Sequence, residues 1–218
     1  MSHTPKTARL LLIVAAVCLV MPGAAGPAWA QAAAVGTVTD LVGEAVVTRQ
    51  GGGAPQALSV GSELLEGDRI HTEPGARLRL RLRDGSVLTC GEATELVLDW
   101  VLYAPEQESR NVLLRVPLGI VRALTELLVP YSSYEMHTNT AVISVRGSEW
   151  ISEAQADATA ILSLEGEIGV RNVDPAVPGA VALGPGEGVT VEAGAPPPTP
   201  TVWGAARRDS FIERTTVP

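Results

Sequence analysis

One stretch of the sequence, residues 76–86, constrains the fold more than any other. Arginine and leucine alternate through it without interruption until the turn-forming pair Asp84-Gly85. Because successive side chains of a β-strand point to opposite faces, the alternation predicts a strand whose leucines face a core and whose arginines face away from it. The glycine can supply the positive φ that such a turn requires. The leucines are Leu78, Leu80 and Leu82, and the arginines are Arg77, Arg79, Arg81 and Arg83.

The chain from Val35 to Glu192 consists of short apolar alternations separated by glycines. Many short strands with turn residues between them indicate an all-β domain. Strands this short and numerous fit a roll or a solenoid-like domain, with a β-sandwich as the alternative. Only residues 124–129 and 205–214 could form short helices. Strands are predicted near residues 35–39, 44–49, 77–83, 86–89, 95–98, 111–116, 119–124, 133–137, 141–145, 148–153, 158–164, 167–171, 180–183 and 188–192.

The first thirty residues have the pattern of a secretory signal peptide. A basic start precedes an apolar run at residues 10–20, and Ala28-Trp29-Ala30 has the small-x-small form of a signal-peptidase site. We therefore expect the mature chain to begin at Gln31 and to be periplasmic or secreted. No later apolar run approaches the length of a transmembrane helix. The predicted organisation is a signal peptide at residues 1–30, a β domain at 31–194, and a proline-rich linker with a C-terminal tail at 195–218.

Charge and cysteine content argue against nucleic-acid binding and against an internal disulfide. The chain has a net charge of −8, and removing residues 1–30, which hold two basic and no acidic residues, leaves 14 − 24 = −10. Nucleic-acid binding needs a basic face, so this balance argues against it. Only Cys90 lies beyond the signal peptide, so we expect a small buried apolar side chain there.

The C-terminal tail begins with a stiff spacer, because the proline-rich residues 195–200 cannot pair into a sheet. Beyond it, Trp203 and Phe211 lie eight residues apart and would share one face of a helix. Three interpretations are open for the tail: a poorly ordered end, a docking peptide, or a segment that folds back over the domain.

Several separate strings of the sequence resemble the FecR-type domain, named for the periplasmic sensing part of the bacterial ferric-citrate regulator. The most specific is Val-Arg-Gly-Ser-Glu-Trp at residues 145–150, preceded at the appropriate distance by Gly-Asp-Arg-Ile at residues 67–70. The resemblance extends from about Val35 to Glu192. The positions that carry it, and for which it implies a structural role, are Gly61, Gly67, Asp68, Arg69, Thr72, Asp84, Gly85, Gly119, Thr138, Val145, Arg146, Gly147, Glu149, Trp150, Gly166 and Gly186.

The resemblance implies an all-β envelope domain, with a solenoid-like roll of short strands. The larger regulators of the family also carry a cytoplasmic anti-sigma segment and a membrane helix. A cleavable signal is expected here in place of both, so direct control of a sigma factor does not carry over. What the resemblance implies for this chain is a module that binds a protein partner in the envelope.

The sequence contains no pattern typical of a reaction centre. The predicted mature chain has only His71 and His137 as histidines and no paired cysteines, so a metal site is not expected. It has neither the Gly-x-Ser-x-Gly elbow of a serine hydrolase nor a phosphate-binding P-loop. We predict a protein that is not an enzyme and uses no cofactor.

Arg146 and Glu149 flank a predicted corner at Gly147, between two apolar strands. We expect the arginine to donate to backbone carbonyls or to a carboxylate across this corner, and its removal to destabilise the domain. The alternative is a ligand site. The aromatic residues of Trp100–Tyr103 and Tyr131–Tyr134 lie near predicted loop ends, where they either pack in the core or contact a partner or glycan.

The arginine side of residues 77–83 also has two interpretations. In the first, acidic residues of adjacent strands neutralise a solvated face. In the second, the arginines form an anion-binding stripe, because guanidinium groups match carboxylate and phosphate groups. Such a stripe could meet peptidoglycan carboxylates, lipopolysaccharide phosphates or an acidic protein patch. The leading prediction is thus a sensing or scaffolding module for a protein partner, and the alternative is a peptidoglycan, polysaccharide or polyanion binder.

Overall fold

The structure is a computed structural model that describes residue 1 and residues 33–104, 106, 109–126 and 132–218. Seventeen strands and one helix form within those residues. The strands are β1 (Gly36–Val42), β2 (Ala45–Thr48), β3 (Gln56–Ala57), β4 (Glu63–Leu64), β5 (Arg69–Thr72), β6 (Arg77–Leu82), β7 (Val87–Cys90), β8 (Glu95–Ala104), β9 (Ser109–Leu124), β10 (Ser133–His137), β11 (Ala141–Val145), β12 (Glu149–Ala154), β13 (Ala158–Glu165), β14 (Ile168–Asn172), β15 (Ala180–Leu183), β16 (Glu187–Glu192) and β17 (Thr201–Val202). The helix is α1 (Ala205–Arg214).

The strands form two sheets that share β9. Sheet A has the order β4-β1-β6-β7-β9-β12-β13-β16-β17, and sheet B has the order β3-β2-β5-β8-β9-β10-β11-β14-β15. Because β9 belongs to both, sheets A and B are continuous and form one large open sheet. The sheet is mixed, since β9 and β10 pair in parallel and the other described pairs are antiparallel. The chain passes repeatedly between the two sheets, and the buried residues of both form one core cluster. The all-β prediction is confirmed.

Strand β9 changes sheets at a bend around Gly119. Before the bend Val112 and Leu114 face the core, and after it Val121 and Ala123 do, so the inward-facing positions change from even to odd numbers. Gly119 has φ = +95°, and a Cβ there would lie 2.4 Å from Cα of Thr94. Only glycine fits this combination of positive φ and close approach. The sequence predicted two strands here because the alternation is interrupted at the bend.

Strand β6 has the orientation that its sequence predicts. Leu78, Leu80 and Leu82 are buried in the core, with at most 2% of any of them exposed. β6 lies between β1 and β7 in sheet A. Fully burying three leucines contributes about 1.5–3 kcal/mol each, which fixes both the strand and its register.

The predicted strands all occur, and four additional strands were missed. β3, β4 and β17 have two residues each, which is too short for any alternation to be visible in the sequence. β5 has four residues and follows directly on the turn at Gly67-Asp68. The predicted helical turn at 124–129 lies partly outside the described residues; residues 125 and 126 are irregular.

The C-terminal tail folds back onto the outer face of sheet A. The helix that the sequence allowed at 205–214 is present as α1. Trp203 and Phe211 make an edge-to-face contact with their ring centroids 5.1 Å apart, and they form a second apolar cluster with Ile120, Ile151 and Leu162. This packing favours the third interpretation of the tail. No helix among the described residues is long and apolar enough to cross a membrane.

Two glycines make room for the tail. A Cβ on Gly188 would lie 2.3 Å from the indole ring of Trp203, and a Cβ on Gly91 would lie 2.9 Å from the carbonyl oxygen of Arg214. A guanidinium–carboxylate hydrogen bond of 2.6 Å from Arg214 to Glu153 adds a polar tie. The absence of side chains at these two positions therefore allows the tail to lie directly against the sheet.

We predict that Phe211→Ala destabilises the docked tail. The side chain is 5% exposed, and truncating a buried phenylalanine typically costs about 3–5 kcal/mol. Denaturant unfolding followed by far-UV circular dichroism should show an early loss of helix signal. Val202→Ala, at a side chain that is 75% exposed, is the matched control and should unfold like the wild type. Identical unfolding of the Phe211 variant and the control would contradict the docked arrangement.

Candidate functional site

Within the described residues, the titratable side chains do not assemble into a metal site. No group of three or more His, Cys, Asp or Glu side chains within them could hold a metal ion. His71 is half-buried on β5, and His137 lies on β10 with its Nε2 2.7 Å from a carboxylate oxygen of Glu135. Cys90 is fully buried, as expected for a small apolar residue. These residues therefore give no support to hydrolytic or metal-dependent chemistry.

The family-motif residues near Asp68 hold a turn together. The buried carboxylate of Asp68 accepts hydrogen bonds from the guanidinium of Arg49 and, at 2.7 Å, from the backbone N–H of Leu65. Arg69 pairs with Glu95 on the neighbouring strand β8. The buried hydroxyl of Thr72 donates to the carbonyl of Gly91 at 2.6 Å. These contacts hold the turn in place, but they engage only Oδ2 of Asp68; its Oδ1 is buried without a hydrogen-bond partner among the described residues.

The turn at Asp84-Gly85 is anchored by a buried ion pair that the sequence analysis missed. The guanidinium of Arg110 lies 3.4 Å from the carboxylate of Asp84, and both side chains are at most 5% exposed. Arg110 also donates to the carbonyl of Glu126 at 2.6 Å, and the hydroxyl of Ser86 donates to Asp84 at 2.6 Å. Burial, and then the charge of Asp84, raise the pKa of the neighbouring Tyr134 phenol. Twenty-six residues separate the two partners, and no local pattern marks them.

The remaining motif positions also serve packing. Thr138 shares a hydroxyl–hydroxyl contact of 2.7 Å with Thr159, and Trp150 lies edge-on to Tyr134 with ring centroids 5.8 Å apart. Gly166 has φ = +73°, and a Cβ there would lie 2.7 Å from the carbonyl oxygen of Gly147. Val145 is buried, whereas Gly61 and Gly186 adopt positive φ in open turns.

The expected Arg146–Glu149 network is absent from the described residues. Glu149 instead accepts hydrogen bonds from Arg122, at 2.7 Å from Nε and 2.6 Å from a terminal nitrogen. Arg146 is exposed and makes no ion pair or side-chain hydrogen bond within the described part of the chain. The reason is topological: Arg146 follows a strand of sheet B, whereas Glu149 begins a strand of sheet A.

The arginine face of β6 is only partly neutralised. Arg79 lies 3.7 Å from the carboxylate of Asp40, its cross-strand neighbour on β1. Arg77, Arg81 and Arg83 make no ion pair within 4 Å among the described residues, and Arg81 and Arg83 are exposed. The first interpretation of this face thus holds for one arginine in four.

A second surface feature lies on the outer face of sheet B. Trp100 and Leu102 on β8 are 56% and 49% exposed. They line an open cavity of about 400 Å³ together with Asn111 and Leu113 of β9 and Glu135 of β10. We call these five residues the apolar patch. Of the other aromatic residues noted in the sequence, Tyr103 is exposed, Tyr134 is buried in the core, and Tyr131 lies outside the described residues.

Comparison with known proteins relates this two-layered β domain to a protein family. Residues 68–169 match the family model for the FecR protein. This match confirms the resemblance to the FecR-type domain over that range. No curated protein matches the sequence.

Solved structures resemble the fold of this chain. Two crystal structures of a "putative anti-sigma factor" from Parabacteroides distasonis align with it at a TM-score of 0.52 and 16% sequence identity. Each alignment covers 66% of this chain and 64% or 63% of that protein. This chain thus matches a little under two thirds of the length of those structures. At this identity the likeness concerns the fold.

We predict that Arg110→Met strongly destabilises the domain. Removing one partner of a buried ion pair leaves an uncompensated charge and typically costs about 3–5 kcal/mol. Arg146→Met is the matched control, because it removes an exposed guanidinium and should change the free energy of unfolding by no more than about 0.5 kcal/mol. Chemical denaturation measures both. Equal effects of the two substitutions would contradict the assigned roles.

We predict that the thiol of Cys90 is unreactive in the folded protein. Burial raises its pKa to about 12, and the thiolate is the reactive form. A Cys18→Ser variant leaves Cys90 as the single cysteine. A thiol-specific reagent near neutral pH should label this variant only after denaturant is added. Stoichiometric labelling without denaturant would show that the strand β7 opens in the native state.

Proposed function

We propose that this protein is a non-enzymatic FecR-type module of the bacterial envelope that binds a protein partner and serves in sensing or scaffolding. The observation that carries the proposal is the apolar patch. A tryptophan and a leucine project side by side from a sheet whose opposite face is already packed in the core. Exposing these two side chains to water does not stabilise the fold, whereas a partner that covers them would bury their apolar area.

The surroundings of the apolar patch match the anatomy of a protein interface. Trp100 lies opposite Leu113 across the β8–β9 pairing, so the centre is aromatic and aliphatic. Asn111 and Glu135 provide polar groups beside Trp100 and Leu113. A guanidinium–carboxylate pair between Arg115 of β9 and Asp99 of β8 lies on the two strands that carry this centre. Binding energy in interfaces concentrates in such aromatic anchors within a polar rim.

Export to the envelope is part of the proposal and is supported by the sequence of residues 1–30. The basic start, the apolar run and the Ala28-Trp29-Ala30 site are those of a cleavable signal. Mass spectrometry of the protein from its native envelope fraction should show an N-terminus at Gln31. A chain that retains Met1 and fractionates with the cytoplasm would contradict this assignment.

We predict that a Trp100→Ala/Leu102→Ala double variant loses its envelope partner. The two substitutions remove the exposed apolar anchor without touching the core. A Val60→Ala/Val202→Ala double variant, at residues 63% and 75% exposed elsewhere, is the control. Quantitative affinity capture from envelope extracts should recover a protein with the wild type and the control, and lose it with the first variant. Recovery of the same proteins by both variants would overturn the proposal.

A further inference from the structure

The arginine face of sheet A has a local geometry that the proposed partner binding does not use. Arg81 has Thr37 of β1 and Val87 of β7 as its cross-strand neighbours, so neither side offers it a carboxylate. Arg83 follows in the turn after β6, where its backbone N–H is fixed by a 2.9 Å hydrogen bond to the carbonyl of Val35. Both guanidinium groups are exposed and lack an ion-pair partner among the described residues.

Two cavities meet at Arg81. One, of about 270 Å³, is lined by Arg81, Arg83 and the exposed hydroxyl side chains of Thr37 and Thr39. The other, of about 350 Å³, is lined by Arg79, Arg81, Thr89, the end of the tail at residues 215–216, and Arg122, whose charge is paired with Glu149 in the same lining. Because Arg81 belongs to both, they form one trough that runs along the arginine face. We call it the arginine trough.

The lining of the arginine trough indicates the chemistry of its ligand. Guanidinium groups donate paired hydrogen bonds to carboxylate or phosphate oxygens. Arginines two residues apart on one side of a chain are separated by about 6.6–6.8 Å, which suits acidic groups that recur along a polymer. No aromatic side chain lines either cavity in the described part of the chain, so the trough lacks the anchor that a protein partner would use.

We propose that the arginine trough binds an acidic glycan. Its carboxylate or phosphate groups would lie against Arg81 and Arg83, and its hydroxyl groups would exchange hydrogen bonds with Thr37 and Thr39. Since the chain as a whole carries a net charge of −8, the attraction is local and must overcome long-range repulsion. Because the contacts would join exposed ionic groups, binding should weaken as salt is added.

Calorimetric titration of the purified chain with two probes tests the proposal and distinguishes the two sources of acidic groups. One probe is an oligogalacturonate, which carries carboxylates, and the other is a phosphorylated mannan oligosaccharide; neutral dextran is the blank. The test variant is Arg81→Glu/Arg83→Glu. The control, Arg146→Glu/Arg208→Glu, changes the net charge equally at sites outside the arginine trough. Circular dichroism and thermal unfolding verify that each variant is folded, and Arg81→Gln/Arg83→Gln provides a milder change at the same sites.

The expected result is binding of at least one acidic probe that weakens about tenfold or more in the test variant and only marginally in the control. The glutamine variant should lie between the wild type and the glutamate variant. The proposal is overturned if the wild type binds neither probe, or if both glutamate variants lose binding equally. Polyglutamate that binds as tightly as the glycans would assign the trough to acidic protein segments and would overturn it too.

Discussion

Strand β9 connects the two layers of this domain, and its bend at Gly119 divides its four partner strands between the two sheets. It runs for sixteen residues, pairs with β8 and β10 in sheet B before the bend, and with β7 and β12 in sheet A after it. The change of inward-facing positions at the bend keeps apolar side chains directed at the same core on both sides. Because the backbone of Thr94 lies against Gly119, no larger residue could make this crossing without displacing β8.

Each of the two sheets has an outer face, and the two outer faces differ in what covers them. Part of sheet A is covered by its own C-terminal segment, whose aromatic residues pack on Ile120, Ile151 and Leu162. The remainder of that face carries the arginines of β6. Sheet B has no such cover over the apolar patch among the described residues, and Trp100 stays exposed. We infer that the two faces have separate roles, one polar and charged, the other apolar and suited to a protein.

The sequence predicts those features that depend on short-range periodicity. The alternation in β6 identified the buried leucines, because a strand with one apolar face has a single favourable register. The helix at 205–214 was foreseen only as a possible short exposed helix; Gly204 provides no side-chain cap, and the helix depends on the burial of Phe211. Two-residue strands could not be predicted, because they are held by pairing with distant strands and have no pattern of their own.

Features that depend on long-range contacts were missed or predicted wrongly. Arg110 lies in the sheet-B half of β9, whereas Asp84 lies in the turn between β6 and β7 of sheet A, so nothing local indicates their ion pair. Arg146 was expected to donate to backbone carbonyls or to a carboxylate across the corner, but the chain passes from sheet B to sheet A there and leaves it exposed. The candidate site is similar: Trp100 was noted as an aromatic residue near a loop, but only the sheet order shows that it lies on a face that no described segment covers.

The central claim, that the outer face of sheet B contacts a protein in the envelope, is tested most directly by photo-crosslinking in intact cells. A photoreactive amino acid would replace Leu102 in the apolar patch and, in a second strain, the exposed Val202. The account predicts a crosslinked species of defined mass from position 102 and none from position 202. No adduct at position 102, or the same adducts at both positions, would contradict it.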